Sequence, residues 1–230
     1  EKDFKELASL NQCNLFDVRI PLESFPIANG KKRSGKRCLT IGTDCSVGKM
    51  YSTLAIEREM ISRGIKATFR ATGQTGILIS GSGIPLDAIV ADFMAGAVET
   101  LTPASDHDHW DLIEGQGSLF HVSYSGVTMA LIHGGQPDHL ILCHEPTRKH
   151  MRGLPHYSIP TLESLYETSL PLARISNPDC KISGICINTK DIEEIEAEAL
   201  IKDIETNFQL PTVDPFKHGT KKIVDNLLQA

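Results

Sequence analysis

From Arg37 onward, short apolar runs alternate with longer stretches whose apolar residues recur at helical spacing. The runs Cys38–Gly42, Ile65–Ala71, Trp110–Glu114, His139–Cys143 and Ile182–Asn188 are short and nearly continuous in hydrophobicity, as strands covered on both faces should be. Between the first two, Met50–Arg63 reads as a helix closed by Gly64, a residue that takes the left-handed conformation at no steric cost. Ala197, Leu200, Ile201, Ile204 and Phe208 fall at i, i+3, i+4, i+7 and i+11, which marks one apolar face of another helix. Glu193, Glu194 and Glu196 occupy its first turns, where the helix dipole favours negative charge. This alternation predicts βαβ units and hence an α/β fold with a mainly parallel sheet flanked by helices.

The turn after the first strand carries the clearest chemistry. Gly42, Thr43, Asp44, Cys45, Ser46, Val47, Gly48 and Lys49 follow an apolar strand and lead directly into a helix. Glycines at such a turn let the backbone fold into a nest of N–H donors, the helix N-terminus adds positive potential, and the lysine brings a full charge to a diphosphate. Two departures from the common P-loop pattern stand out. Five residues separate Gly42 from Gly48, one more than usual, and Met50 stands where a Ser or Thr hydroxyl ordinarily ligates magnesium. A thioether is no substitute, because Mg²⁺ takes oxygen ligands, so the loop suits holding a diphosphate better than positioning a metal. Ser52 or Thr53 is the possible replacement, which keeps a Mg-ATP-dependent enzyme in view. The organisation expected is a lead-in segment or domain remnant over residues 1–36 and a P-loop α/β domain over 37–230.

Composition narrows the classes without naming one. A 230-residue chain with 40% hydrophobic residues can bury a substantial core. A formal charge of −6 gives no general attraction for nucleic acid, and the one basic cluster, Lys31 to Arg37, reads as a solvated connection. No run approaches the ~18 apolar residues of a membrane span and the N-terminal stretch lacks a signal-peptide core, so a cytoplasmic location away from membranes is expected. Six well-separated cysteines, with no CxxC pair, read as reduced thiols mostly buried in strands. The run Asp106, His107, Asp108, His109 resembles a metal cluster in composition but not in spacing, and no metal site is expected.

Further polar stretches fall at predicted strand ends, where open parallel sheets bind ligands. The second strand ends in a glycine-rich turn with Gln74 and Thr75. The third ends in Glu114, followed by Gly115, Gln116, Gly117 and Ser118; a carboxylate there sits beside the phosphate loop, and the N–H groups of Gly115 to Gly117 are candidate oxyanion donors. The fourth ends in His144, a second proton-transfer candidate, and Arg148, suited to gripping a carboxylate. Asp92 falls in an apolar stretch expected to be mid-helix, where a carboxylate must be paired, protonated or turned to a polar cleft. Cys45 lies beside Lys49 at a helix N-terminus, a setting that lowers thiol pKa values, but no histidine lies near it in sequence.

The stretches GTDCSVGKM, ATGQTGILISGSGIPLDAIVADFMAGAVE, EGQGSLFHVSYSG, HEPTR and INTK together resemble a P-loop family first catalogued as of unknown function, whose characterised members are D-glutamate N-acetyltransferases. The lengthened loop is similar to that of dethiobiotin synthetases. The resemblance implies acetyl transfer from acetyl-CoA to the amino group of an acidic D-amino acid, a small-molecule substrate, and a smaller Rossmann-like domain ahead of this one. For that reaction Glu114, then Asp92, is the candidate general base, Gln74 joins the candidate oxyanion donors, and the loop from Gly42 to Met50 is the expected coenzyme cradle. Arg70, Thr75, Gln116, Ser118, His144 and Arg148 become the substrate-binding set, in what is expected to be a homo-oligomer. The competing expectation is a ligase or kinase resembling dethiobiotin synthetase, with Asp44 and Glu114 around Mg²⁺.

Overall fold

In the computed structural model, which describes residues 2–21 and 23–229, six strands form one parallel sheet between two helical layers. A short helix, α1 (Lys2–Leu10), precedes the central strand β1 (Lys36–Gly42), and α2 (Lys49–Ser62) leads to β2 (Ala67–Arg70). Next come α3 (Gln74–Ser80), a 3₁₀ turn, α4 (Ala91–Leu101), β3 (Trp110–Ile113), α5 (Ser125–Gly135) and β4 (His139–His144). A small antiparallel hairpin of β5 (His150–Met151) and β6 (Leu154–Ser158) then interrupts the alternation. The chain closes with α6 (Leu162–Ser176), β7 (Lys181–Ile187), α7 (Glu194–Phe208), β8 (Thr212–Val213) and α8 (Lys221–Gln229).

The sheet order is β2-β3-β1-β4-β7-β8, so the chain leaves β1 toward one edge and later crosses back to fill the other. That reversal puts the end of β1 beside the ends of β3 and β4, where a crevice opens above a parallel sheet. All five expected strands are present. Strand alternation sorts their residues into two cores. Leu39, Ile41, Ile113, Leu140 and Leu142 pack on the α4–α5–α6 side, whereas Cys38, Leu112, Ile141, Cys143 and Cys186 pack toward α2 and α8. Each strand is thus apolar on both faces, which is why it reads as a continuous run.

Four cysteines, Cys38, Cys143, Cys180 and Cys186, are buried free thiols, while Cys13 is exposed and Cys45 half-buried. The basic cluster departs from the expected solvated connection. Lys31 and Lys32 are exposed, but Arg37 is 1% exposed and donates to the carbonyls of Arg33, Ser34 and Gln136. Arg33 donates to the Thr102 and Gly134 carbonyls and faces Glu99, so the segment is tied under the sheet by its arginines. Among the described residues no helix is long and apolar enough to cross a membrane.

Candidate functional site

The loop between β1 and α2 is shaped by close approach. A side chain at Gly42 would stand 2.6 Å from Val47 Cγ2, and Ser46 and Gly48 adopt positive φ values of 55° and 104°, which turn consecutive amides inward. Among the described residues the N–H groups of Ser46 through Tyr51 have no acceptor, whereas Thr43 N–H donates to the Cys143 carbonyl at 3.1 Å. Lys49 is 5% exposed and donates from Nζ to the Asp44 carbonyl at 2.7 Å; burial pushes its pKa down. A half-buried amide nest with a lysine at its centre is a receptor for a poly-anion. The hydroxyls beyond it are turned away: Ser52 Oγ donates to the Gly48 carbonyl at 3.0 Å and Thr53 Oγ1 to the Lys49 carbonyl at 2.8 Å. Met50 lines the cavity in the place of the metal-binding hydroxyl.

A belt of side chains holds the outside of this loop. Arg148 donates to Asp44 Oδ2 at 2.9 Å, to the Cys45 carbonyl at 2.6 Å and to the Ser46 carbonyl at 3.1 Å, and it also pairs with Glu145. The hairpin adds Arg152, whose backbone N–H donates to Asp44 Oδ2 at 2.7 Å and whose guanidinium reaches Ser46 Oγ. Arg148 therefore clamps the phosphate loop rather than presenting its fork to a substrate carboxylate. His144 and Ser118 play similar parts. His144 Nδ1 meets Thr43 Oγ1 at 2.8 Å, and burial lowers its pKa to about 4, so it is neutral near pH 7. Ser118, fully buried, donates to the Thr43 carbonyl at 2.9 Å.

Glu114 directly follows β3 and lies 5% exposed at the wall of a cavity of about 610 Å³, which Lys49, Met50 and Gln116 also line. Its Oε2 accepts from Thr72 N–H at 2.8 Å and Gly73 N–H at 3.1 Å; Oε1 accepts no hydrogen bond among the described residues. Burial raises its pKa above the ordinary carboxylate range, and those two amides and the nearby Lys49 hold the rise in check. Small neighbours make the position possible, since a side chain at Gly76 would collide with the carboxylate and one at Gly115 with the Thr40 carbonyl. The Gly115 N–H donates to Thr40 Oγ1 at 3.0 Å, which withdraws it from the expected oxyanion set; those of Gln116 and Gly117 have no acceptor among the described residues.

Other expected site residues are distributed differently. Asp92 lies exposed in the first turn of α4, not mid-helix among apolar neighbours, and is stabilised there by the helix dipole with no buried charge to satisfy. Gln74 directs its amide to Asp87 at 2.7 and 2.9 Å, and Thr75 is exposed. Arg70 forms a 2.6 Å bond to Asp111 Oδ1, and Gln116 bonds the Thr72 carbonyl. Cys45 does acquire a histidine neighbour: the ligand atoms of Asp44, Cys45 and His121 converge within 4.8 Å. That trio is already committed. Asp44 serves Arg148, Arg152 and the Cys45 amide, while His121 Nε2 meets the Arg152 carbonyl and Nδ1 accepts from Ser123 N–H. Burial raises the Cys45 pKa, so the thiol and not the thiolate is favoured. Asp106 and Asp108 pair with Lys66.

Several lining residues are not among the expected site residues, although Asp87, Tyr124 and Asn188 lie in the stretches that carry the family resemblance. Tyr51, Asp87, Tyr124 and Asn188 reach the cavity from four separate elements or loops. Asn188, in the INTK stretch at the end of β7, is the one a strand-end rule would have found.

A parallel sheet with an amide nest after its central strand defines a P-loop, NTPase-like α/β domain. Within that class the chain belongs to the DUF1611 family: its profile, described as a domain of unknown function (DUF1611_C) P-loop domain, matches residues 26–224. A relative from Tritonibacter scottomollicae named D-glutamate N-acetyltransferase is 64% identical over 227 residues, covering 99% of this chain and 68% of its own. One of the same name from Pseudoalteromonas sp. is 47% identical over 228 residues, covering 98% and 69%. A crystal structure of a DUF1611 family protein from Anabaena variabilis superposes with TM-score 0.86 at 34% identity, over 94% of this chain and 64% of that one. The chain thus spans about two thirds of the length of these relatives. A nucleotide-binding protein from Archaeoglobus fulgidus in complex with ADP shares the fold at TM-score 0.54 and 12% identity, over 83% of this chain and 86% of its own.

Proposed function

We propose that this protein is an acyltransferase that moves the acetyl group of acetyl-CoA to the amino group of D-glutamate. The observation that carries the reading is a phosphate loop with a full amide nest and Lys49 but with no hydroxyl turned toward a metal. Coenzyme A brings a diphosphate that must be gripped and left intact, which is what such a loop does best. The two relatives named for this activity, at 64% and 47% identity, support the same reading and supply the choice of D-glutamate.

Acetyl-CoA supplies an activated thioester, and the chain supplies the geometry and a base. Glu114, anchored through Oε2 and open at Oε1, takes a proton from the substrate ammonium. The freed amine attacks the thioester carbonyl; a C–N bond forms, the C–S bond breaks, and the thiolate leaves with the proton that the attacking nitrogen loses. The N–H groups of Gln116 and Gly117 are the donors left to meet the oxyanion. Cys45, held as a thiol, takes no acetyl group in this scheme. The competing Mg-ATP reading needs Asp44 as a metal ligand, yet its carboxylate faces Arg148 and Arg152.

The test is thiol release from acetyl-CoA against a panel of D- and L-amino acids. D-Glutamate should release coenzyme A faster than L-glutamate or neutral D-amino acids. No thiol release with any amine, together with magnesium-dependent ADP release from ATP, would overturn the proposal.

A further inference from the structure

The turn that follows β3 carries the base and the two free amides of the acetyl-transfer scheme, and a buried hydroxyl fastens it to the phosphate loop. Thr40 lies 1% exposed in the middle of β1, with its Oγ1 2.8 Å from Thr53 Oγ1 of α2. Thr53 gives its single hydroxyl hydrogen to the Lys49 carbonyl at 2.8 Å, so it accepts from Thr40. Thr40 Oγ1 in turn accepts from Gly115 N–H at 3.0 Å. These bonds make a chain with one direction, from Gly115 N–H through the two hydroxyls to the carbonyl of the lysine that serves the diphosphate.

Packing closes the same joint. A side chain at Gly115 would collide with the Thr40 carbonyl and stand 3.0 Å from Lys49 Cδ, so the turn rests directly on β1 and on the stem of the lysine. Glu114 is held from its other side, where its carbonyl accepts from Thr72 Oγ1 at 2.8 Å. Further along, the Gln116 carbonyl accepts from Thr128 Oγ1 at 2.7 Å, and Ser118 Oγ donates to the Thr43 carbonyl at 2.9 Å. The tie at Gly115 sits between the base and the free amides of Gln116 and Gly117, so it sets both relative to the loop. A buried N–H that loses its acceptor is costly, and without the Thr40 hydroxyl Gly115 must shift or stay unpaired.

We infer that Thr40 is a positioning residue for acetyl transfer: its hydroxyl holds Glu114 and the Gln116 and Gly117 amides in register with a coenzyme seated on the phosphate loop. The inference rests on the acetyl-transfer reading and adds to it a residue that touches neither substrate nor coenzyme. Thr40 acts on the rate only through the turn, because its hydroxyl is buried and fully engaged by Gly115 and Thr53. A small displacement of a base or an oxyanion donor slows the chemical step much more than it weakens binding.

The test sets Thr40→Val, which keeps the shape and removes the hydroxyl, against Thr40→Ser, which keeps the hydroxyl. In Thr40→Val, kcat should fall at least about 10-fold while the calorimetric affinity for coenzyme A stays as in the wild type. Thr40→Ser should restore kcat. Thr40→Ala, which sets no branched side chain against Gly115, should show the same split where the valine variant does not fold. Unchanged kcat without the hydroxyl, an equal loss of coenzyme affinity, or no recovery in Thr40→Ser overturns the role. Amide hydrogen exchange across residues 114–118 gives a readout that needs no turnover: it should quicken in Thr40→Val and Thr40→Ala but not in Thr40→Ser. If the exchange behaves so and the wild type transfers no acetyl group, the hold on the turn stands and the acetyl-transfer reading falls; exchange at the wild-type rate in all three variants removes the hold itself.

Discussion

Glu114 is anchored on one oxygen by two backbone amides and left open on the other, so it is positioned without being tied up. Burial raises its pKa, and a base must be ionised to act. The rate should therefore rise with pH through a limb lying above the ordinary glutamate value of about 4.3. In Glu114→Gln, turnover should drop roughly 10²-fold and that limb should vanish from the pH profile of kcat/KM. A variant with near-normal turnover removes Glu114 from the role. The phosphate loop was legible from sequence because its determinants, Gly42 through Lys49, are consecutive and flanked by an apolar strand and a helix. Glu114 was legible for a related reason, as a carboxylate at a parallel-strand end. Asp92 misled because its neighbours are apolar; helix α4 begins only at Ala91, which leaves the carboxylate at a solvated first turn.

The loop is an element that does not hold itself. Its outer edge is tied by Arg148, four residues beyond the end of β4 at His144, and by Arg152 of the hairpin. Asp44 is fully buried, so removing the guanidinium takes away the cation paired with its carboxylate, leaving only the Arg152 and Cys45 N–H groups, together with two contacts to loop carbonyls. Arg148→Ala should destabilise the fold by about 3 kcal/mol, seen as a lower urea midpoint, and raise the KM for acetyl-CoA. Arg148→Lys should recover little of either, since an ammonium cannot repeat the fork. An Arg148→Ala protein with normal stability and a raised KM for D-glutamate alone would return this residue to the substrate. No reading of local pattern could assign the clamp, because Arg148 and its partners Asp44 and Ser46 lie far apart in the chain. The hairpin was equally hidden: its strands are two and five residues long and mostly exposed, so they carry no apolar run.

At the scale of the molecule, the sheet order brings the ends of β1, β3, β4 and β7 together, and the cavity beside Glu114 opens above them. The same burial on both faces traps two histidines. His139, whose Nδ1 meets Ser183 Oγ at 2.7 Å, and His144 are both lowered from 6.5 to about 4, chiefly by burial. In that window the unfolded chain binds more protons than the folded one, so stability is full above pH 6.5 and falls as the pH drops toward about 4. Urea midpoints of the wild type should fall between pH 7 and pH 5, and His139→Gln should flatten the fall; a variant with the wild-type slope contradicts the assignment. The parallel sheet itself was legible because buried strands are continuous apolar runs, while the sheet order, and with it the partners of His139 and His144, is set by contacts distant in sequence.

The claim on which the account rests is that the loop after β1 holds the diphosphate of coenzyme A through amides and Lys49 alone. Calorimetric titration of coenzyme A in the presence of EDTA, with the wild type and with Lys49→Ala, addresses it directly. Binding by the wild type in EDTA, weakened at least 10-fold in the variant, is the result expected for a buried cation on a diphosphate. Binding that begins only when Mg²⁺ is added, or that is unchanged in Lys49→Ala, would contradict the account.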